Sequence, residues 1–272
     1  MVARIGWCFV GLAMLWSVVC AEPEADDQEP IKIQFDPYME LCRGTYERSP
    51  ALTSVLYCWY DVRNAYGTIA PSKVEMINVN PFVALFHGIL YEGEISQLQA
   101  LGDSHIKRSG LTNDSWLPVF YEDHQTYTLH DRDHPVVQRL THRVEQVTGL
   151  SCESAEDLKV IYNEAGAYIA SDMDAIQTED ELRRFAYAGD RLASMLFFLS
   201  DVEEGGFTIF PKLRLTIRPR KGSAAFWYNL QNTGEPNVKM RYSNCPMLED
   251  SKWTAKKIIH TRGNELRNPC RP

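Results

Sequence analysis

The strongest constraint on the fold is a series of short apolar segments that fills the chain after residue 150. Glycine, proline or asparagine, the residues that favour turns, recur between these segments. Many short strands joined by such turns are typical of a β-sandwich or a β-barrel. The predicted strands are 158–163, 191–200, 206–210, 213–218, 223–230, 238–243 and 256–262.

Helices are indicated in the preceding part of the chain. Apolar residues recur at helical spacing from Glu92 to Leu101 and from Pro135 to Val147. Pro135 suits the first turn of a helix, and Gly149 suits the position just after one. The sequence therefore predicts a mainly helical half, residues 37–150, followed by a β half, residues 151–272.

The first 21 residues have the pattern of a signal peptide. Arg4 precedes an apolar run from Ile5 to Val19, and cleavage is expected after Ala21. The run is shorter than the ~20 apolar residues of a membrane span, so a signal anchor is the less favoured alternative and no transmembrane segment is expected. Residues 22–36 are predicted to be an acidic linker. The chain is thus predicted to enter the secretory pathway.

Charge limits the partners of the protein. With 28 basic and 36 acidic residues the formal net charge is −8, which argues against a nucleic acid partner. The hydrophobic content of 44% is sufficient for a large folded core.

Five of the seven cysteines follow the predicted cleavage site: Cys42, Cys58, Cys152, Cys245 and Cys270. An odd number in an oxidising compartment predicts disulfides and one unpaired thiol. Sequence order leaves the pairing open, although Cys42 with Cys58 and Cys245 with Cys270 would each close a short loop. Asn113 begins an Asn-Asp-Ser triplet, which predicts N-glycosylation.

The stretch YIASDMD, residues 168–174, contains two aspartates that raise the question of a metal site. Asp172 and Asp174 are separated by one residue, and carboxylates are common metal ligands. The alternative is a solvated strand end that precedes a charged helix.

Several blocks of the β half occur in an order and spacing that resemble a known family. They include GDRLASMLFFLSDVEEGGFTIFP, PRKGSAAFWYNLQNTGEP, CPMLEDSKW and HTRGNELRNPC. The chain is similar there to the catalytic region of the collagen prolyl 4-hydroxylase alpha subunit, and YMELCRGTYE and LYCWY resemble the segment that precedes it. The resemblance extends from about Pro37 to Cys270.

This resemblance implies an α+β domain over residues 37–272 with a double-stranded β-helix, a cupin-like jelly roll, at its core. It also implies a procollagen-proline 4-dioxygenase that uses Fe(II), 2-oxoglutarate and ascorbate. In that family two histidines and one aspartate hold the iron and leave positions open for 2-oxoglutarate and O₂.

The three positions that match the family's iron ligands are occupied by other residues. Ser171 and Met173 stand at the His-x-Asp positions, and Tyr242 stands at the position of the second histidine. Because side chains alternate along a strand, inward-facing Ser171 and Met173 would place Asp172 and Asp174 outside the barrel. We therefore predict a vacated iron site with no cofactor bound.

Two further positions match functional residues of the family. Lys252 stands where the family's lysine binds the far carboxylate of 2-oxoglutarate, and His260 matches an additional histidine. A lysine inside a barrel is expected to meet an anion, either a dicarboxylate or an internal Asp or Glu; the alternative is an exposed lysine at the rim. The resemblance also implies the Cys42–Cys58 and Cys245–Cys270 disulfides, with Cys152 free.

Three functional hypotheses follow. The first is a catalytically silent relative that binds an anion, a peptide or a partner. The second is an active dioxygenase with an unusual metal site, built from Asp172 or Asp174 with His260. The third is a degraded copy without a biochemical role.

Expected partners are a protein disulfide isomerase-like subunit or a proline-rich secreted peptide. Retention in the lumen of the endoplasmic reticulum would require such a partner; otherwise the chain is expected to be secreted.

Overall fold

Two antiparallel sheets face each other across an aromatic core. In this computed structural model the described residues are 37–62, 68–105, 121–122, 125–132, 134–248 and 251–268. The larger sheet has the strand order β1-β2-β3-β11-β8-β13-β6-β5 and the smaller one the order β10-β9-β12-β7-β4. Pairing is antiparallel except between β4 and β7. The architecture is that of a jelly roll, as predicted.

The strands of the larger sheet are β1 (Cys58–Asp61), β2 (Ser72–Asn78), β3 (Val83–His87), β5 (Gln125–Leu129), β6 (Leu158–Asn163), β8 (Arg191–Phe198), β11 (Ala224–Tyr228) and β13 (Lys252–His260). Those of the smaller sheet are β4 (Tyr121–Glu122), β7 (Ala167–Asp172), β9 (Thr208–Phe210), β10 (Leu215–Ile217) and β12 (Tyr242–Asn244). The described helices are α1 (Pro37–Arg43), α2 (Pro50–Thr53), α3 (Glu92–Asp103), α4 (Pro135–Thr148) and α5 (Glu179–Arg184).

The core lies in two layers. Between the sheets, Phe210 packs edge-on against Trp227, and Tyr242 packs against both rings. On the outer face of the larger sheet, the apolar stripes of α3 and α4 pack on β6, β8 and β11, so these helices support the sheet. None of the described helices has the length and apolar character that a membrane span requires.

The two predicted helices are present. Pro135 occupies the first turn of α4, and Gly149 ends it with a φ of 73°, a left-handed conformation that glycine adopts without steric cost. At the start of α3, the Glu94 carboxylate accepts a hydrogen bond from the backbone N–H of Tyr91.

Among the described residues, the half predicted to be mainly helical, residues 37–150, also contains the five strands β1 to β5. β2 and β3 form a hairpin that joins the larger sheet through β11. In β2 the buried Val74 and Met76 alternate with the less buried Lys73 and Glu75, which is the period of a strand. In the predicted strand 238–243, residues Val238–Met240 form a 3₁₀ turn instead.

The disulfide pairing implied by the resemblance is also wrong in this structure. Cys42 is bonded to Cys245, 203 residues away, with a Cα–Cα distance of 5.5 Å. The reason is that α1 packs on the smaller sheet through Leu41, which lies in one apolar cluster with Phe207 and Cys245. Cys58 is exposed and unbonded, and Cys152 is buried and unbonded. Cys270, the predicted signal peptide, the acidic linker and Asn113 lie outside the described residues.

Candidate functional site

A cavity of about 230 Å³ opens between the two sheets. Side chains from β7 and β12 line one wall, and side chains from β6, β8 and β13 line the other. Four cationic side chains (Lys159, Arg191, Lys252 and Lys256) and three carboxylates (Asp172, Asp174 and Glu181) border this space.

Two carboxylates meet at the end of β7. Strand pairing places Asp172 opposite Tyr242 of β12, and the Tyr242 hydroxyl donates to the Asp172 Oδ2 atom at 2.5 Å. The same hydroxyl is 3.3 Å from Asp174 Oδ1. Burial, followed by the charges of Asp174 and Asp172, raises the pKa of Tyr242 well above its usual value. Tyr242 is therefore a neutral phenol that bridges the two carboxylates.

Lys256 supplies the positive charge at this point. Its ammonium forms an ion pair with Asp174 and lies 2.6 Å from the Tyr242 hydroxyl oxygen. The other Asp174 oxygen accepts a hydrogen bond from Ser194, which in turn accepts one from the Asn229 amide at 2.9 Å. Asp174, Ser194 and Lys256 are all buried. The result is a buried polar network that runs from Lys256 through Asp174 and Ser194 to Asn229.

The prediction that Asp172 and Asp174 point out of the barrel is wrong, because β7 contains a β-bulge. Asn244 pairs with Ile169, whereas Tyr242 pairs with Asp172, so the register shifts by one residue between these pairs. An extra residue of this kind reverses the alternation of side chains beyond it. Ile169 and the two aspartates consequently line the same cavity.

The bulge also changes the surroundings of the two residues expected to face the cavity. Ser171 is exposed and accepts a hydrogen bond from Arg241 at 3.2 Å. Met173 lies beyond the last residue of β7, is buried in the apolar core and contributes to the cavity wall. Of the three positions matched to iron ligands, Tyr242 and Met173 therefore reach the cavity and Ser171 does not.

Lys252 begins β13 and is buried, with 2% of its surface exposed, which excludes an exposed position at the rim. Its ammonium donates to the Gly206 carbonyl at 2.7 Å, to Thr208 Oγ1 at 3.2 Å and to Asn244 Oδ1 at 3.3 Å. Within the described residues these partners are neutral oxygens, and no carboxylate pairs with Lys252. Burial lowers the pKa of Lys252 to about 7.

His260 lies at the other end of β13 and has different partners. Its Nδ1 atom is 2.7 Å from the Gly189 carbonyl oxygen, and its Nε2 atom is 3.3 Å from Glu156. Burial alone would raise the pKa of Glu156, but hydrogen bonds from His260, Lys159 and Arg191 hold it far below its usual value. His260 is thus a hydrogen-bonded core residue and is not joined to Asp172 or Asp174.

These residues do not fit an Fe(II) centre. The described residues lining the cavity include no histidine, and the described part of the chain contains no cluster of three metal-ligating side chains. Lys256 and Tyr242 already contact oxygens of the acidic pair, and the Lys256 ammonium offsets one of its two negative charges. The cavity does fit an anion, because the buried Lys252 ammonium lacks a carboxylate partner there.

Sequence reasoning missed Lys256, Ser194 and Asn229. Lys256 could have been found from the alternation of side chains along a strand. It lies two residues after Thr254 and four after Lys252 in β13, and all three line the cavity. For Ser194 and Asn229, the pattern of apolar strands gives no indication of a polar contact.

Comparison with known proteins places the chain among prolyl hydroxylases. It is 35% identical over 240 residues to the mouse prolyl 4-hydroxylase subunit alpha-1 and 31% identical over 247 residues to the Caenorhabditis elegans prolyl 4-hydroxylase subunit alpha-2. These alignments cover 86% and 88% of the chain, but the chain spans 45% of the length of each relative. No protein-family model matches the sequence.

The fold agrees with this relation. A viral collagen prolyl hydroxylase from Paramecium bursaria Chlorella virus-1, solved as a 2-oxoglutarate complex, superposes with a TM-score of 0.52 at 19% identity. The match covers 65% of this chain and 94% of the viral one. Over most of its own length, therefore, the chain belongs to the prolyl 4-hydroxylase alpha subunit family.

Proposed function

We propose that this chain is a catalytically silent relative of the prolyl 4-hydroxylase alpha subunits, which acts by binding a carboxylate ligand in the cavity between its sheets. The single observation that carries the proposal is the ion pair of Lys256 with Asp174 beside Tyr242. Tyr242 stands where the resemblance places an iron-binding histidine. A lysine ammonium and a neutral phenol oppose the binding of a divalent cation there, because the first repels it and the second is a weak ligand.

Carboxylate binding is proposed because Lys252 is a buried cation whose described partners are neutral. Burial of an unpaired charge is unfavourable, so a ligand carboxylate that reaches Lys252 gains a charge-assisted hydrogen bond. A small dicarboxylate such as 2-oxoglutarate fits the chemistry of the cavity. The viral relative's 2-oxoglutarate complex supports this choice of ligand.

The cellular part of the proposal rests on the sequence and the resemblance. We place the protein in the secretory pathway, with a protein disulfide isomerase-like subunit or a proline-rich secreted peptide as its partner. The chain spans 45% of the length of the mouse relative, so a partner of this chain has to be identified directly. Co-purification from secretory-pathway membranes is that test.

Silence is tested by Fe(II)-dependent decarboxylation of 2-oxoglutarate by the purified chain, with a proline-rich peptide present. We expect no turnover above the level without protein. A matched variant carries Ser171→His, Met173→Asp and Tyr242→His, and we expect it to remain inactive because Ser171 faces solvent and Lys256 persists. Turnover by the unaltered chain would overturn the proposal.

Binding is tested separately by calorimetric titration of 2-oxoglutarate in the absence of iron. We expect binding by the unaltered chain and its loss in Lys252→Met. Lys221→Met, which changes a more exposed lysine paired with Glu92, is the matched control and should leave binding intact. Absence of binding to the unaltered chain would refute the carboxylate ligand and leave catalytic silence as a separate question.

The alternative of an active dioxygenase with an unusual metal site has less support. It requires His260 to act with Asp172 or Asp174, yet His260 contacts Gly189 and Glu156 instead. Asp174 is also held by Lys256, Tyr242 and Ser194.

A further inference from the structure

A second cavity, of about 360 Å³, lies where the segment between α1 and α2 crosses β2, β3 and β10. Its lining residues are distinct from those of the first cavity. Four arginines border it: Arg48, Arg214, Arg218 and Arg220. This cluster of cations is unexpected in a chain whose formal net charge is −8.

The four guanidinium groups lack ionic partners among the described residues. The acidic residue of the described lining is Glu75, and its carboxylate lies 2.8 Å from His87. Four like charges around one concave surface repel each other, and this repulsion is relieved when an anion binds. The cavity therefore has an uncompensated positive charge.

Two of the arginines are oriented by neutral groups. Arg214 has a left-handed backbone, with a φ of 51°, and donates to the Tyr46 hydroxyl at 3.0 Å. Arg218 donates to the Gly44 carbonyl at 3.0 Å, and its guanidinium lies over the Phe207 ring. Both residues are exposed, and these contacts orient their side chains without neutralising them, so less entropy is lost when a ligand binds.

Arg48 anchors the buried side of the cavity. It donates to the Ile77 carbonyl at 2.5 Å and to Asn78 Oδ1 at 2.6 Å, both through its terminal nitrogens. Its Nε atom is buried and has no hydrogen-bond partner among the described residues. A buried donor without an acceptor is unfavourable, which favours an acceptor at this point. Burial also lowers the pKa of Arg48.

We propose that this second cavity binds a polyvalent oxyanion, a ligand with two or more phosphate or sulfate groups. Guanidinium forks match the paired oxygens of these groups, and each group also neutralises neighbouring cations. A ligand with a single charge leaves most of the four charges uncompensated. The proposal concerns a site separate from the carboxylate cavity and does not depend on it.

The test is a titration of the full chain at low ionic strength with two probes, inorganic tripolyphosphate and sucrose octasulfate. We expect at least one probe to bind, and the preference between them identifies phosphate or sulfate as the recognised group. The double variant Arg214→Gln/Arg218→Gln should bind about tenfold more weakly or worse, since two charge-assisted contacts are lost. Circular dichroism establishes that this variant is folded.

The matched control is Arg183→Gln/Arg184→Gln, which removes the same charge from the exposed helix α5. It should change affinity by less than about twofold, because exposed charges at a distance are screened. Gly44→Ala perturbs the site at constant charge: the φ of Gly44 is +66°, which strains an alanine, and an added Cβ would lie 2.7 Å from Arg218 Nη2, so both effects should weaken binding.

Three results would overturn the proposal. The first is a failure of both probes to bind the unaltered chain. The second is equal affinity in the pocket variant and the α5 control, which would indicate attraction by overall charge. The third is tighter binding of a pentaglutamate peptide than of either probe, which would assign the site to carboxylates.

Discussion

The hydroxyl oxygen of Tyr242 lies 2.6 Å from the ammonium nitrogen of Lys256, between the two sheets of the jelly roll. Asp172 accepts a hydrogen bond from the same hydroxyl, and Asp174 Oδ1 lies 3.3 Å from it. Two neighbouring carboxylates repel each other in a medium of low dielectric constant, and the lysine charge together with the phenol proton offsets that repulsion. An internal cation thus stabilises the acidic pair without an external metal ion.

Replacing Lys256 with methionine should destabilise the fold. The change leaves Asp174 buried without its cation, and breaking a buried ion pair from one side typically costs about 3–5 kcal/mol. Urea unfolding followed by circular dichroism measures the loss. In Lys256→Met/Asp174→Asn the unpaired charge is gone, so part of the stability should return.

Lys221→Met is the control for this prediction. Lys221 pairs with Glu92, whose side chain is 71% exposed, so its loss should change the free energy of unfolding by less than about 1 kcal/mol. Equal effects of Lys221→Met and Lys256→Met would contradict the stabilising role of the buried pair.

The thiols should differ sharply in reactivity. Burial raises the pKa of Cys152 to about 12, whereas Cys58 is exposed. A thiol reagent at neutral pH should therefore modify Cys58 in the native protein and modify Cys152 only after unfolding, because the thiolate is the reactive form.

Peptide mapping of the alkylated, unreduced protein should also recover Cys42 linked to Cys245. A Cys42–Cys58 peptide would contradict the structure and restore the pairing implied by the resemblance.

The sequence predicts the regular helices and strands of this fold better than its irregular features, such as the bulge in β7 and the disulfide of Cys42. Helix α4 is bounded by Pro135 and Gly149, whose conformational preferences are local, and β6 coincides with the apolar run 158–163. The orientation of Asp172 depends instead on a bulge opposite β12, and the pairing of Cys42 depends on where α1 packs. Both are set by contacts between segments distant in sequence, which periodicity does not encode.

The same limit applies to the candidate site. The flanking blocks place Tyr242 at a position that the resemblance assigns to a metal ligand, so this residue could be singled out from the sequence alone. The ion pair of Lys256 with Asp174 becomes visible only when β13 is placed across the cavity from β7 and β12, because the two residues are 82 positions apart in the sequence.

Acid should destabilise the protein partly through Glu156. Its folded-state pKa is far below the unfolded value of about 4.3, so its contribution to stability is complete above that value and is lost as pH falls. Glu156→Gln should lower the free energy of unfolding at pH 7 and flatten its decline between about pH 5 and pH 3. Urea titrations across this range measure both effects. The exposed Glu153 provides the control variant Glu153→Gln, which should change the free energy of unfolding at pH 7 by less than about 0.5 kcal/mol.

Carboxylate binding to the first cavity should weaken as pH rises. Burial lowers the pKa of Lys252 to about 7, so the unliganded side chain carries its charge mainly below that pH. The ligand binds the charged form, and affinity for 2-oxoglutarate should therefore fall about tenfold or more between pH 6 and pH 8.5. Calorimetric titration at both pH values measures the change.

Lys252 should also make the unliganded protein more stable as pH rises, although the same rise in pH weakens ligand binding. Between about pH 7 and pH 10 the unfolded chain holds the Lys252 proton more tightly than the folded one, so this group makes the free energy of unfolding rise with pH. Lys252→Met removes that contribution, and the difference between the two stability profiles isolates it. A 2-oxoglutarate affinity that does not change from pH 6 to pH 8.5 would show that the ligand carboxylate does not meet the Lys252 ammonium.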